Sequence, residues 1–183
     1  MHQDIERVLF SEGAIRERIA ELGAEIARDY DGSDLVLMAM LKGGVVLISD
    51  LMRHVPIPLD IEFIVASSYG AGTVSSGSVD VKVFPQMDFR GKRLLILDDI
   101  LDTGRTLSRI VAQLKEKGAD DVKTCVLLDK RARRAVPFQA DYVGFDVDDY
   151  FVVGYGLDFA DKYRNLPYIG VLKEHCYSPG RKV

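Results

Sequence analysis

Carboxylates and hydroxyls follow directly on an apolar run in the stretch LLILDDILDTGRTL, residues 94–107. Three aspartates, Asp98, Asp99 and Asp102, lie close together and are followed at once by TGRT. Carboxylates at this density repel one another unless a cation or a hydroxylated ligand lies among them. The residue types therefore predict that a ligand binds at this loop.

The chemistry of that ligand can be read from the two halves of the loop. The TGRT segment, 103–106, leads into a stretch with helical spacing at 105–117. Backbone amides at a helix N-terminus, a glycine for the tight turn and two nearby hydroxyls form a cradle for an anion. Ionised Asp98 and Asp99 only accept hydrogen bonds, which suits sugar hydroxyls or the hydration shell of Mg²⁺. A phosphate with a diol close by, as in ribose 5-phosphate, satisfies both halves.

Two other kinds of nucleotide site lack their sequence signatures. No GxxxxGK[ST] is present to hold a nucleoside triphosphate, and no GxGxxG follows a strand-like segment. A purely structural helix cap would explain one of the three aspartates but not all of them. The phosphate-and-diol interpretation therefore accounts for more of the loop than these alternatives do.

The overall composition is that of one globular domain. The chain has 183 residues, of which 48% are apolar and 28% charged, and its formal net charge is −4. An acidic balance argues against a dedicated nucleic-acid-binding protein, which usually carries a basic face. Apart from Lys130, the basic run KRARR at 130–134 is interpreted as a solvated surface turn, with a phosphate or nucleic-acid contact as the alternative.

Cysteine and histidine usage favours a reduced, cytoplasmic protein without a zinc site. Cys125 lies in the apolar run TCVLL, and Cys176 has no neighbour at metal-ligand spacing. The longest apolar stretch, 35–52, is interrupted by Lys42 and two glycines, and no charged-then-apolar leader opens the chain. We therefore expect neither export nor a membrane span.

The motifs lie within alternating helix-like and strand-like segments. Helical spacing occurs at 11–30, with Ser11 as a cap, at 45–55 and at 105–117. Strand-like runs occur at 34–40, 59–68, 79–84, 93–99, 122–130 and 141–147. This alternation predicts an α/β fold with a twisted, mainly parallel sheet flanked by helices. Ligands of such sheets bind beyond the carboxyl ends of the strands, where LKGG, DDILDTGRT and DKR are expected to converge.

Five segments resemble, in order along nearly the whole chain, those of the type I phosphoribosyltransferases and more narrowly of the hypoxanthine-guanine phosphoribosyltransferases. They are LKGG at 41–44, SSYGAGTVSSG at 67–77, the stretch at 94–107, LLDKRARR at 127–134 and FVVGYGLDFADKYRNLPYIGVL at 151–172. The resemblance implies a single domain, 1–183, with a core at about 34–145 and a small hood from about 1–30 and 146–183.

The resemblance also implies an activity. A 6-oxopurine, hypoxanthine or guanine, displaces pyrophosphate from phosphoribosyl pyrophosphate and gives a nucleoside 5′-monophosphate, a reaction of purine salvage. It further implies Mg²⁺ as cofactor, a cytoplasmic homodimer or homotetramer, and no membrane or nucleic-acid partner. The rival interpretations are a regulatory RNA-binding relative on the same fold and a phosphoribosyltransferase that prefers xanthine.

Matching positions in the motifs carry the implied roles. The proton acceptor is Asp102. Ribose 5-phosphate is assigned to Asp98, Asp99, Asp102, Thr103, Gly104, Arg105 and Thr106. Pyrophosphate is assigned to Lys42, Gly43 and Arg164, and the Leu41–Lys42 bond is expected to be able to adopt the cis form. The purine is assigned to Lys130, Phe151, Val152 and Asp158, the metal to Asp98, Asp99 and Asp158, and a mobile lid to Ser68 and Tyr69.

Each assignment has a structural alternative that the sequence leaves open. Asp102 could cap the helix, Asp158 could be a turn residue, Lys42 and Lys130 could be solvated, Arg164 could form a surface ion pair, and Phe151 could be ordinary core. The lid segment could be a plain hairpin loop. Because the lid segment is rich in Gly and Ser and has no apolar anchor, we expect it to be mobile without ligand.

Overall fold

The computed structural model describes residues 1–68, 79–83 and 85–178, with side chains described in 1–66 and 85–178. Within these ranges the helices are α1 (Glu12–Asp29), α2 (Gly44–Leu51), α3 (Arg105–Glu116) and α4 (Glu174–Tyr177). The strands are β1 (Ile5–Phe10), β2 (Leu35–Leu41), β3 (Leu59–Ser68), β4 (Val79–Val83), β5 (Arg93–Leu101), β6 (Asp121–Asp129), β7 (Tyr142–Asp146), β8 (Val152–Val153) and β9 (Ile169–Leu172).

The larger sheet has the strand order β4-β3-β2-β5-β6-β7. Five of these strands run parallel and β4 is antiparallel to β3, so the predicted α/β class is confirmed. The central strands are apolar on both faces because helices cover both sides: all but the last residue of β2 are buried. One face packs against α1 and α2, and the other packs against α3.

The chain order places a crevice at one edge of this sheet. After β2 the chain continues to β3 on one side, and β5 then pairs with the other side of β2. The loops that leave β2 and β5 therefore diverge and open a gap between them, and ligands of open α/β sheets bind at such a switch point. These two loops, 42–43 and 102–104, lie within LKGG and DDILDTGRT.

A second, three-stranded sheet joins the two ends of the chain. β9 lies between β1 and β8 and is antiparallel to both. These short strands were not predicted, because β1 has no alternation of buried and exposed residues and β8 is only two residues long. The division into core and hood at the predicted boundaries stays a prediction.

The predicted helices are present, with one changed end. The Ser11 hydroxyl accepts a hydrogen bond from the Ala14 amide at 3.2 Å and caps α1, as expected. The segment predicted as a helix at 45–55 is α-helical only to Leu51 and then tightens into a 3-10 turn, Met52–His54. Val55 precedes a proline and leaves the helical region, since the proline ring excludes that conformation.

Neither cysteine forms a disulfide. Cys125 is buried in β6, as predicted, and burial raises the pKa of its thiol to about 12. Cys176 is half-buried, and its sulfur lies within 4.8 Å of ligand atoms of Asp4 and His175, a grouping that residue spacing did not indicate. No described helix combines the length and hydrophobicity that a membrane-spanning segment requires.

Candidate functional site

A cavity of about 350 Å³ opens at the carboxyl ends of β2 and β5. Its lining includes these predicted site residues: Lys42, Gly43, Asp98, Asp99, Asp102, Thr103, Gly104, Thr106, Asp158 and Arg164. Four separate parts of the chain contribute to the lining: 40–43, Ala66, 98–104 with 106–107, and Asp158 with Arg164. The structure therefore brings the residues assigned to ribose 5-phosphate, pyrophosphate and metal into one place, with the exception of Arg105, which is exposed outside the cavity.

The floor of the cavity includes the acidic pair at the end of β5. Asp98 and Asp99 are both half-buried, and the Asp99 amide donates to the Asp98 carboxylate at 3.1 Å. Burial and the neighbouring charge of Asp99 raise the pKa of Asp98 well above its ordinary value. Burial also raises the pKa of Asp99, although the Arg164 guanidinium opposes this shift. Two desolvated carboxylates in contact favour a cation between them.

A turn with a left-handed glycine forms the start of α3. Gly104 is the N-cap residue, with φ +81° and ψ −9°, and no side chain caps the helix there. The Thr103 hydroxyl lies 3.4 Å from the Arg105 amide, which donates to it. First-turn amides without helical partners make this end of α3 a favourable position for an anion.

Asp102 presents a carboxylate oxygen that lacks a partner. Its Oδ1 is buried and has no hydrogen-bond partner among the described residues. No amide of the first turn of α3 donates to this oxygen, so Oδ1 does not cap the helix. An unpaired buried acceptor is costly unless a ligand satisfies it, so the geometry favours a ligand-facing role.

The LKGG loop contacts the acidic pair closely. A Cβ added to Gly43 would lie 1.8 Å from Oδ2 of Asp99, so only glycine permits this approach. The Leu41–Lys42 peptide bond is cis, the form that the resemblance implied it could adopt. The Lys42 ammonium is exposed and pairs with Asp161 at 2.8 Å.

The guanidinium of Arg164 lines the same cavity. It donates to the Gly156 carbonyl at 2.6 Å and pairs with the Asp158 carboxylate at 2.5 Å. Asp161 lies 3.5 Å from Arg164 and also pairs with Lys42, so one carboxylate links both predicted pyrophosphate-binding cations. Asp161 was not among the predicted site residues, and its only signal in the sequence is its place between Asp158 and Arg164 in DFADKYR.

Lys130, Phe151 and Val152, assigned to the purine, do not line the cavity. Lys130 is only 6% exposed, which excludes a solvated surface lysine. Its ammonium donates to the Tyr150 carbonyl at 2.6 Å and lies 3.6 Å from Asp149. Its amide donates to the Leu101 carbonyl at 2.9 Å, one residue before Asp102.

Phe151 is a half-exposed aromatic beside Lys130. It stacks on Tyr177 of α4, with ring centroids 4.6 Å apart and an interplanar angle of 14°. Phe159 contacts it edge-on at 5.5 Å. Since 37% of Phe151 remains exposed, ordinary core packing does not describe it. Val152 is buried in β8 and pairs with Val171.

The basic run at 130–134 is only partly the solvated turn that we expected. The side chains of Arg131 and Arg133 are 72% and 56% exposed, but that of Arg134 is 16% exposed. For Arg134 the interpretation was wrong, because its guanidinium is paired with the buried Asp129 and with backbone carbonyls. No periodicity distinguishes it from its neighbours in the sequence.

The predicted lid cannot be compared with the structure. The backbone of Ser68 ends β3, but its side chain lies outside the described residues. Tyr69 and the rest of the segment to residue 77 also lie outside them. The lid assignment stays a prediction.

Known proteins resemble this chain over nearly all of its length. The family model of the phosphoribosyl transferase domain matches residues 9–160. The hypoxanthine-guanine phosphoribosyltransferase of Bacillus subtilis is 45% identical, covering 97% of this chain and 98% of the relative. That of Streptococcus pneumoniae is 43% identical, with 97% and 99% covered.

Two further comparisons extend this similarity. A bifunctional protein, TilS/HprT of Listeria monocytogenes, is 48% identical over 97% of this chain, which spans only 28% of that protein's length. A crystal structure of a hypoxanthine phosphoribosyltransferase from Staphylococcus aureus superposes with a TM-score of 0.93 at 43% identity, covering 97% of both chains. The chain therefore belongs to the phosphoribosyltransferase family and, within it, to the hypoxanthine-guanine phosphoribosyltransferases.

Proposed function

We propose that the protein transfers the 5-phosphoribosyl group of phosphoribosyl pyrophosphate to hypoxanthine or guanine, releasing pyrophosphate and a nucleoside 5′-monophosphate. The observation that carries this proposal is the cavity at the ends of β2 and β5, in which an acidic pair, an unpartnered carboxylate and the N-terminus of α3 converge. The names of the relatives agree with this activity.

The proposed base is Asp102, which accepts the proton that the purine loses as its ring nitrogen attacks the ribose. The support is that Oδ1 of Asp102 is buried and unpaired, two residues before the N-cap of α3. A solvated aspartate, with a pKa of about 3.9, is a weak base, so the substrates must displace water from the site to strengthen it. The amides of Thr103 and Gly104 hold the 5′-phosphate beside it.

Lys42 and Arg164 are proposed to neutralise the departing pyrophosphate, together with the Gly43 amide. Both residues line the cavity that contains the acidic pair, and both contact Asp161. Asp161 thus pairs with Lys42 and Arg164 when no anion is bound. Pyrophosphate, which carries a higher negative charge, then replaces Asp161 as their partner. An arginine and a lysine that share one carboxylate partner can both turn to the oxygens of a phosphate chain.

The cavity also suits Mg²⁺, which we propose Asp98, Asp99 and Asp158 hold directly or through water. The fit rests on the donor set, because Asp98 and Asp99 are adjacent, half-buried carboxylates in the cavity lining and a cation beside them would offset their repulsion. When bound, Mg²⁺ would neutralise oxygens of phosphoribosyl pyrophosphate and orient them. Arg164 holds Asp158 in place on the cavity wall.

Lys130 and Phe151 are proposed to select the base. The Lys130 ammonium donates hydrogen bonds only, so it favours an oxygen over an amino group at the purine 6-position. Phe151 keeps an exposed surface on which a purine can stack, and the backbone of Val152 would contact the ring edge. The substituent at the purine 2-position would contact backbone and metal-linked groups. Because no side chain is assigned to separate xanthine from guanine there, a xanthine-preferring enzyme is the second candidate.

A regulatory RNA-binding role is less well supported. The formal charge is −4, and the guanidinium groups of Arg131, Arg133 and Arg134 are all paired with aspartates. The proposal further includes one catalytic domain over 1–183 and a homodimer or homotetramer, supported by the assembly typical of the family. It also includes a cytoplasmic location, in keeping with two unpaired cysteines.

The proposal is tested by offering hypoxanthine, guanine, xanthine and adenine separately with phosphoribosyl pyrophosphate and Mg²⁺. Release of pyrophosphate is expected with hypoxanthine or guanine and not with adenine. A preference for xanthine would establish the second candidate. No release with any base, together with a salt-sensitive shift of a labelled RNA in a gel, would replace the proposed activity with RNA binding.

A further inference from the structure

We infer that Arg134, anchored by Asp129, is a positioning residue that turns the backbone of the 101–104 loop so that its amides face the 5′-phosphate. The inference rests on the proposed function, because it explains how that site is held in shape. Arg134 lies outside the cavity, behind the loop, and does not contact the space in which substrate would bind.

The guanidinium of Arg134 makes several contacts that only a fork of donors can make together. Its Nε donates to the Asp102 carbonyl at 3.1 Å. Its terminal nitrogens donate to the Phe138 carbonyl at 2.5 Å, to the Leu101 carbonyl at 3.5 Å and to the Asp129 carboxylate. Arginine offers five donors in one plane, whereas lysine offers a single point charge.

These contacts decide which way two successive amides point. The peptide bonds that follow Asp102 and Thr103 are trans, so each N–H points away from the preceding carbonyl. Arg134 binds the Asp102 carbonyl, and the Ala135 amide donates to the Thr103 carbonyl at 2.9 Å. With both carbonyls drawn to the same side, the amides of Thr103 and Gly104 point to the other side, where the cavity lies.

Packing behind the loop keeps this orientation. A Cβ added to Gly104 would lie 3.1 Å from Cδ of Arg134, 3.1 Å from Val136 and 3.3 Å from Phe138. The segment 134–138 therefore lies directly against the back of Gly104, whose φ of +81° suits glycine. The loop is confined between this segment and the cavity.

The pairing with Asp129 gives Arg134 a fixed position. Asp129 is 6% exposed and is the last residue of β6, beside Leu101 of β5 in the sheet register. A buried ion pair contributes little net stability but specifies one arrangement, and removal of one partner leaves an uncompensated buried charge. Arg131 also contacts Asp129, from the exposed side.

The test compares Arg134→Lys with Arg133→Lys, an adjacent arginine that is exposed and outside the loop contacts. Both substitutions preserve charge. The dissociation constants of inosine 5′-monophosphate and of pyrophosphate are measured by calorimetry, with the concentration of folded protein taken from the binding stoichiometry. Arg134→Lys should weaken the mononucleotide about 10-fold or more, equivalent to a lost hydrogen bond to a charged group, and leave pyrophosphate within about 2-fold. Arg133→Lys should change neither ligand by more than about 2-fold.

A role confined to stability would predict a lower melting temperature with both affinities unchanged, and this result would overturn the inference. If Arg134→Lys does not fold, Asp129→Asn replaces it. Asp129→Asn keeps the arginine but loosens its anchor, so a loss of about 3-fold for the mononucleotide alone is expected, and equal affinities would again overturn the inference. A wild-type protein that binds the mononucleotide but releases no pyrophosphate would contradict the proposed function and leave this inference standing.

Discussion

The unpaired oxygen of Asp102 leads to the most direct prediction at the scale of single residues. Asp102→Asn preserves the shape of the side chain but removes its ability to accept a proton. We expect kcat to fall by about 10²–10⁴, the usual contribution of a positioned base, with a small change in KM. Steady-state rates with hypoxanthine measure this change, and kcat within a few-fold of wild type would exclude Asp102 as the base.

Lys130 provides a second prediction at this scale, for base selectivity. Lys130→Met keeps the apolar stem of the side chain and removes the donor. We expect the ratio of kcat/KM for hypoxanthine to that for adenine to fall by about 10–100-fold, because the 6-oxo group then has no charged partner. Lys115→Met, on the exposed surface of α3, serves as the control and should leave the ratio unchanged. An unaltered ratio in Lys130→Met would exclude the assignment.

The assignments at the residue scale differ in how well the sequence supported them. Asp98, Asp99 and Asp102 stand out in the sequence because acids rarely end an apolar strand in such number. Arg134 did not stand out, since an arginine in a basic run is usually solvated. Its burial depends on Asp129 and on the Asp102 carbonyl, which is 32 positions away along the chain.

At the scale of elements, the close approach of Gly43, after β2, to Asp99 at the end of β5 shapes the proposed pyrophosphate site. Gly43→Ala would place a Cβ 1.8 Å from the Asp99 carboxylate and force the Asp99 side chain out of its position in the cavity. We expect pyrophosphate affinity to fall at least about 10-fold, with a loss of stability of about 1–3 kcal/mol, as for other overpacked positions. Calorimetry and urea unfolding measure these two effects.

Gly13→Ala is the matched control for that substitution. Gly13 lies in α1, and the nearest atom to an added Cβ is the Ser11 hydroxyl at 3.9 Å. Its effect on stability should stay within about 1 kcal/mol, and pyrophosphate affinity should not change. Equal behaviour of the two variants would show that the approach of Gly43 to Asp99 has no functional consequence.

Elements with strong patterns were predicted well from the sequence, and short ones were not. α1 and α3 repeat apolar residues every three or four positions, β2 is a continuous apolar run, and β5 contains one at 94–97. β8 and β9 contain too few residues for a period to appear. Their existence depends on pairing with each other and with β1, which is a tertiary event.

At the scale of the whole molecule, the segment after β8 is tied to α2. The Tyr155 hydroxyl donates to the Asp50 carboxylate at 2.6 Å, and burial with this bond raises the pKa of the phenol. Tyr155→Phe should lower the free energy of unfolding by about 1–2 kcal/mol, since the buried phenol loses its hydrogen bond to a charged, half-buried carboxylate. Urea unfolding measures the change.

Tyr168→Phe provides the comparison for this prediction. Its hydroxyl accepts a bond from the amide of His2 at an exposed position, so its removal should cost less than about 0.5 kcal/mol. Equal losses in the two variants would show that the bond from Tyr155 to Asp50 of α2 stabilises the fold no more than an exposed hydrogen bond does.

The sequence by itself determined the fold class, the order of the motifs and the chemical types that bind phosphate, because periodicity and residue chemistry are local properties. Only the tertiary structure decided which charges are paired: Arg134 with Asp129, and Lys42 and Arg164 with Asp161. It also decided that β1 joins β9 from the other end of the chain. Such contacts depend on which residues lie close together in space. When the two partners are far apart along the chain, no local sequence pattern predicts that they meet.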